Sequence, residues 1–167
     1  ELLGQMGARR IQDQDSLAAH ARLLVENQTG LRAVSWLDGA GGVRLTYPAA
    51  TTSAVAPEAV RLAMSLASPV YGKPYLTANG DWAFQVPVPL GDRAGTIGWV
   101  VGQYDINRML QEAVPWWLAE RYRIVVADTE GKSLASRSKV ETPTSTGSYQ
   151  LALEPPGHGL SLQATPY

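Results

Sequence analysis

Arg123-Ile-Val-Val-Ala-Asp128-Thr-Glu-Gly131-Lys-Ser-Leu-Ala-Ser136 is the stretch on which the fold turns. Four apolar residues lead into Asp-Thr-Glu-Gly, and a shorter run follows, which is the pattern of a strand, a tight turn and a second strand. The same pattern stands 90 residues earlier, with Val34 on Ile124, Asp38 on Asp128 and Gly41 on Gly131. There Leu31–Asp38 and Val43–Tyr47 flank Gly39-Ala40-Gly41-Gly42 and form a first hairpin that Pro48 ends. Two copies of one hairpin point to an internal repeat.

Outward from these hairpins the elements fall in the same order twice. Glu1–Gln28 carries Leu3, Met6, Ile11, Leu17, Leu24 and Val25 at mostly helical spacing, and Thr29-Gly30 stops it. Such a helix would be about 40 Å long, more than a domain of this size requires. An Ala/Thr loop follows the first hairpin, and Pro57-Glu58 opens a helix to about Ala67. Val70–Asp81 reads as irregular. Trp82–Val88 alternates, with Trp82, Phe84, Val86 and Val88 on one face and Ala83 and Gln85 on the other, while Pro87 and Pro89 predict an edge strand or its frayed end. Gly91-Asp92-Arg93 turns into the longest strand, Gly95–Tyr104. Asp105 caps a helix from Ile106 to about Val114, and Pro115 opens its continuation to about Glu120. Weaker strands, Tyr149–Leu153 and Leu160–Ala164, follow the second hairpin after a polar loop over 139–147. The segments are a leading helix (1–30), a first sheet module (31–104), a connecting helix (105–121) and a smaller second module (122–167).

Composition excludes several classes of function. The 167 residues are 45% apolar and 17% charged, an ordinary globular balance. Fourteen Lys and Arg against fifteen Asp and Glu leave a net charge of -1, a poor match to nucleic acid. There is no cysteine, which removes disulfides and thiolate chemistry, and two histidines, His20 and His158, cannot supply a three-histidine zinc site. Gly131-Lys132-Ser133 imitates the end of a phosphate-binding loop, but Val126 stands where the earlier glycine is required. No G-x-S-x-G elbow or paired histidine setting marks a hydrolase. The expectation is therefore a chain with no catalytic residues, metal or cofactor of its own. It begins at Glu1 inside a helical pattern, as a piece of a longer protein would.

Helix, hairpin, helix and an antiparallel run of strands, led by a long helix, resembles the extracytoplasmic double-Cache (PDC, PAS-like) sensor regions of bacterial transmembrane histidine kinases. Gly98-Trp-Val-Val-Gly-Gln-Tyr-Asp105-Ile106 is similar to the final strand of a Cache module, and the two hairpins to its strand–turn–strand. The resemblance implies an α+β fold with a membrane-distal PAS-like sheet module and a smaller proximal one. It also implies a periplasmic domain of an inner-membrane protein, homodimeric in the full-length chain and held by flanking membrane helices. Its partner would be a small-molecule ligand whose binding moves the helices. A chemoreceptor, a diguanylate cyclase or a purely structural dimerisation domain carries the same pattern, and the kinase is the preferred parent.

Seven residues are candidates for ligand contact. Tyr71, Lys73, Tyr75, Asp81 and Trp82 gather before and at the third long strand, where the resemblance places a ligand-contacting loop. Hydroxyls, an ammonium and an indole N–H there can orient a small carboxylate against an aromatic wall. Asp105 matches an aspartate that pairs with the ligand ammonium in amino-acid-binding relatives, but its favoured reading is the helix N-cap, worth about 1 kcal/mol. Arg44 can fork onto a carboxylate from the second strand. The chain lacks the full Tyr, Arg and Trp pattern of the amino-acid binders, so small organic acids are the expected ligands. Trp116-Trp117 is expected to pack between the modules.

Overall fold

The computed structural model describes residues 14–49, 55, 57–66, 68–92, 95–139, 147–154 and 158–167. The start of the leading helix, the Ala/Thr loop and the polar loop over 140–146 lie outside them. Thirteen elements follow in order: α1 (Gln14–Asn27), β1 (Leu31–Asp38), β2 (Val43–Tyr47), α2 (Pro57–Leu66), β3 (Tyr75–Leu76), β4 (Trp82–Asp92), β5 (Gly95–Asp105), α3 (Ile106–Ala113), α4 (Trp116–Ala119), β6 (Tyr122–Ala127), β7 (Ser133–Arg137), β8 (Tyr149–Ala152) and β9 (Ser161–Pro166). This is an α+β chain.

The first sheet is antiparallel with strand order β2-β1-β5-β4-β3. Its two faces carry different helices. On one, Leu17 and Ala21, a turn apart on α1, pack with Val34, Trp36, Leu90 and Val100. On the other, Val60 and Ala63 of α2 cover Leu37, Trp99, Val101 and Val70. Cover on both sides explains why β1 is buried almost throughout rather than at alternate residues. Strand β4 reaches further than its alternating stretch, through Asp92, and pairs with β5 along its length. On its other side the short β3 meets only Trp82 and Ala83, so Pro87 and Pro89 lie past its end with no strand paired to them on that side, the Pro87 side chain nonetheless fully buried. Strand β3 itself falls where the sequence reads as irregular, because Tyr75 and Leu76 take their strand geometry from β4.

The second sheet runs β7-β6-β9-β8, which is the order β2-β1-β5-β4 again with β3 left out. The repeat extends to individual hydrogen bonds. Asp38 Oδ1 accepts from the N–H of Ala40 and Gly42, and Asp128 Oδ1 accepts from Glu130 and Lys132. Gly41 and Gly131 both take positive φ, 87° and 79°. The register slips at Trp36/Leu37 in one hairpin and at Val126/Ala127 in the other, again 90 residues apart.

Helix α3 joins the sheets. Its Ile106 and Leu110, and Val114 just past its end, are buried with Ile124, Val126, Leu134 and Leu160 of the second sheet region and with Tyr71 and Phe84 of the first. One apolar cluster therefore spans both units. Trp116 and Trp117 do not share in it, contrary to the expectation that they pack between modules: they are 67% and 53% exposed. Within α4 it is Leu118 that packs against the shared cluster, and Trp116 and Trp117 at the start of that single turn face away from it. No helix among the described residues is long and apolar enough to cross a membrane.

Candidate ligand-binding site

The fold brings Asp81 and Asp105 to one place, around a residue that the sequence reading did not single out. Ala83 of β4 pairs with Asp105 of β5, which sets Asp81 just beyond the same end of the sheet. Next to it on the other side, β1 carries an irregularity between Leu31 and Ala33 that contains Arg32. Arg32 Nη2 lies 2.7 Å from Asp105 Oδ2 and 3.8 Å from Asp81 Oδ2. The Asp105 side chain is 3% exposed, that of Arg32 42%. A buried carboxylate is stable only when paired and hydrogen-bonded, and Asp105 meets both conditions. Its Oδ1 accepts the N–H of Arg108 and caps α3 as expected, while its Oδ2 holds the guanidinium. Both oxygens thus hold protein donors, while the partly exposed Arg32 engages the two aspartates through Nη2 alone. A guanidinium has five N–H donors in a planar fork, and one anchored through one nitrogen keeps others for a second carboxylate.

Behind this pair α3 is clamped to the corner between α1 and β1. Glu112 Oε2 accepts the N–H of Gly30 at 2.7 Å, and its Oε1 accepts from Arg108 Nε at 2.6 Å. These donors hold the Glu112 carboxyl below its ordinary value of 4.5, with the Arg108 bond the larger cause. Gly30 has φ 73°, and a Cβ there would stand 2.6 Å from Met109 Cβ, so only glycine allows α3 this close.

The other candidates separate into three environments. Tyr71 is buried at the junction of the sheets, where its hydroxyl accepts the N–H of Leu160 at 2.8 Å and its ring packs on Phe84, itself stacked on Tyr104. Burial pushes both the Tyr71 and Tyr104 phenols up. Tyr75 sits in β3 against Ala83. Lys73 and Trp82 line a separate cavity of about 490 Å³, whose lining also includes Glu58 from α2, Asp128 and Glu130 of the second hairpin, and His158. Arg44 is not with them. It stands on the first hairpin, 69% exposed, with Nε 3.0 Å from Asp38 Oδ2, because β2 is the far edge of the sheet.

Arg32 was visible in sequence as the one charge inside Leu31-Arg-Ala-Val-Ser-Trp-Leu37. Its partner could not be read, because Asp105 lies 73 residues away.

No protein-family model matches the chain. It is 29% identical over 161 residues, 92% of its length, to the C4-dicarboxylate transport sensor protein DctS of Rhodobacter capsulatus. The chain spans about a fifth (22%) of that curated relative. Among solved structures it is similar to the ligand-binding domain of the Pseudomonas aeruginosa amino acid chemoreceptor PctC in complex with GABA, with a TM-score of 0.61 at 12% identity, covering 98% of this chain and 85% of that one. It is likewise similar to that of the Pseudomonas fluorescens chemoreceptor CtaA in complex with L-alanine, with a TM-score of 0.60 at 15% identity, covering 99% and 86%. A leading helix, two antiparallel sheets in repeated order and a connecting helix give the chain an α+β fold that matches PAS-like/Cache ligand-binding domains.

Proposed function

We propose that the chain is the ligand-sensing region of a bacterial membrane sensor of the histidine-kinase kind, and that it reads a small organic acid through Arg32. The observation that carries the ligand class is the geometry of Asp105, whose oxygens are occupied by the Arg108 N–H and by Arg32. An aspartate so engaged anchors an arginine and is a poor receptor for a ligand ammonium. The likeness to a C4-dicarboxylate transport sensor along 92% of the chain favours a dicarboxylate within that class. The ligands named for the structural neighbours, GABA and L-alanine, also carry a carboxylate.

On this reading the ligand-bound state tightens the corner where Arg32, Asp105, α3 and Gly30 meet, and that corner ends α1. The parent protein is then a periplasm-facing, inner-membrane kinase, dimeric through the helix that includes α1. Leu23, 57% exposed on α1, supports an outer contact there. Calorimetric titration with succinate, malate, GABA and L-alanine tests the ligand class. Saturable binding of the diacids, lost in Arg32→Met and weakened in Arg32→Lys, is expected. Preference for the amino acids, or diacid binding indifferent to Arg32, would overturn it.

A further inference from the structure

The cavity between the two sheets lies apart from the arginine and has more carboxylates than lysines in its lining. Its walls come from both halves of the repeat: Glu58, Lys73 and Trp82 on one side, Asp128 and Glu130 at the tip of the second hairpin on the other. Three carboxylates there share the lining with one lysine, Lys73, and a second lysine, Lys132, approaches from outside the lining. Its volume, about 490 Å³, falls in the range of small-molecule sites. Its floor is apolar, with Leu134 and the Trp82 indole. The Trp82 ring already carries a cation, since Lys132 Nζ lies 4.9 Å from its centroid. An indole face with acidic neighbours is the environment that selects ammonium groups.

We propose that this cavity is a second binding site, for an organic ammonium ion that takes the place of Lys132 on Trp82 while Glu58 and Glu130 neutralise it. The ammonium lies over the indole and its carbon chain lies along Leu134. Because the walls belong to different sheets, an occupant ties the second hairpin to α2 and to the start of β4. Carboxylate reading at Arg32 and ammonium reading at Trp82 are then two separate inputs to one molecule. The proposal stands on the cavity alone and does not depend on the ligand assigned to Arg32.

The test is a calorimetric and thermal-shift titration of the chain with choline and putrescine, with acetate as the anionic control and succinate titrated in parallel. Saturable binding of either cation is expected, weakened severalfold in Glu58→Gln and Glu130→Gln. In Lys132→Met the internal competitor is gone, and binding should tighten about two- to fivefold, the range of an exposed cation–π contact. All three side chains are exposed, so these variants are expected to fold, and Trp82 is left intact. Succinate binding should be unchanged in all three, which separates this site from Arg32. Absence of saturable cation binding, binding of acetate instead, or cation binding indifferent to the three substitutions would overturn the proposal.

Discussion

Asp105 holds two structures at once, the N-terminus of α3 through Oδ1 and the Arg32 guanidinium through Oδ2, and substitution can separate them. Asparagine caps helices about as well as aspartate but brings no charge. Asp105→Asn is therefore expected to keep most of the stability of α3 while weakening diacid binding, because Arg32 loses its anchor. Asp105→Ala should lose both, with the missing cap alone costing about 1 kcal/mol in urea denaturation. Equal loss of ligand binding and of stability in the two variants would contradict this division. Sequence reading reached half of the pair: Asp105 before Ile106 is a legible cap, because a cap is a relation between residues three apart. Its second partner is a cross-strand relation and has no local signature.

Helix α3 and the two hairpins show how elements are tied. Glu112 joins α3 to Gly30, and its carboxyl is held below 4.5 in the folded protein. A depressed carboxyl stabilises the fold above its unfolded value, and that contribution disappears as pH falls through the lower folded value. Stability should thus drop on acidification below about 4.5, and Glu112→Gln should make that part of the drop shallower. Urea midpoints measured across acid pH in both proteins check it. The hairpins allow a matched comparison. Asp38→Ala and Asp128→Ala each remove an acceptor for two backbone N–H groups of the same turn, so each should lower the urea midpoint, and by similar amounts. The turns were legible because Asp-x-x-Gly within apolar runs specifies them locally. The exposure of Trp116 and Trp117 was not, since it follows from which side of the one-turn helix α4 packs Leu118 against the shared core.

At the level of the whole molecule, an apolar cluster and a buried hydrogen bond, from the Leu160 N–H to the Tyr71 hydroxyl, join the two sheets among the described residues. Tyr71→Phe leaves that N–H unsatisfied and should cost about 1–3 kcal/mol. Unfolding followed by tryptophan fluorescence and by circular dichroism should trace one coincident transition in both proteins. Two separated transitions would show that the sheets fold independently. By itself the amino-acid sequence determined the hairpins, the edge character of Pro87 and Pro89, the cap at Asp105 and the repeated order of elements, because each is written in near neighbours and in periods of two or 3.6 residues. Only the tertiary structure decided that Arg32 meets Asp105, that Lys73 and Trp82 face the second hairpin rather than Asp105, and that Arg44 stands apart from them all. Those relations depend on strand order and register, in which residues dozens of positions apart become neighbours at one sheet end or opposite walls of one cavity.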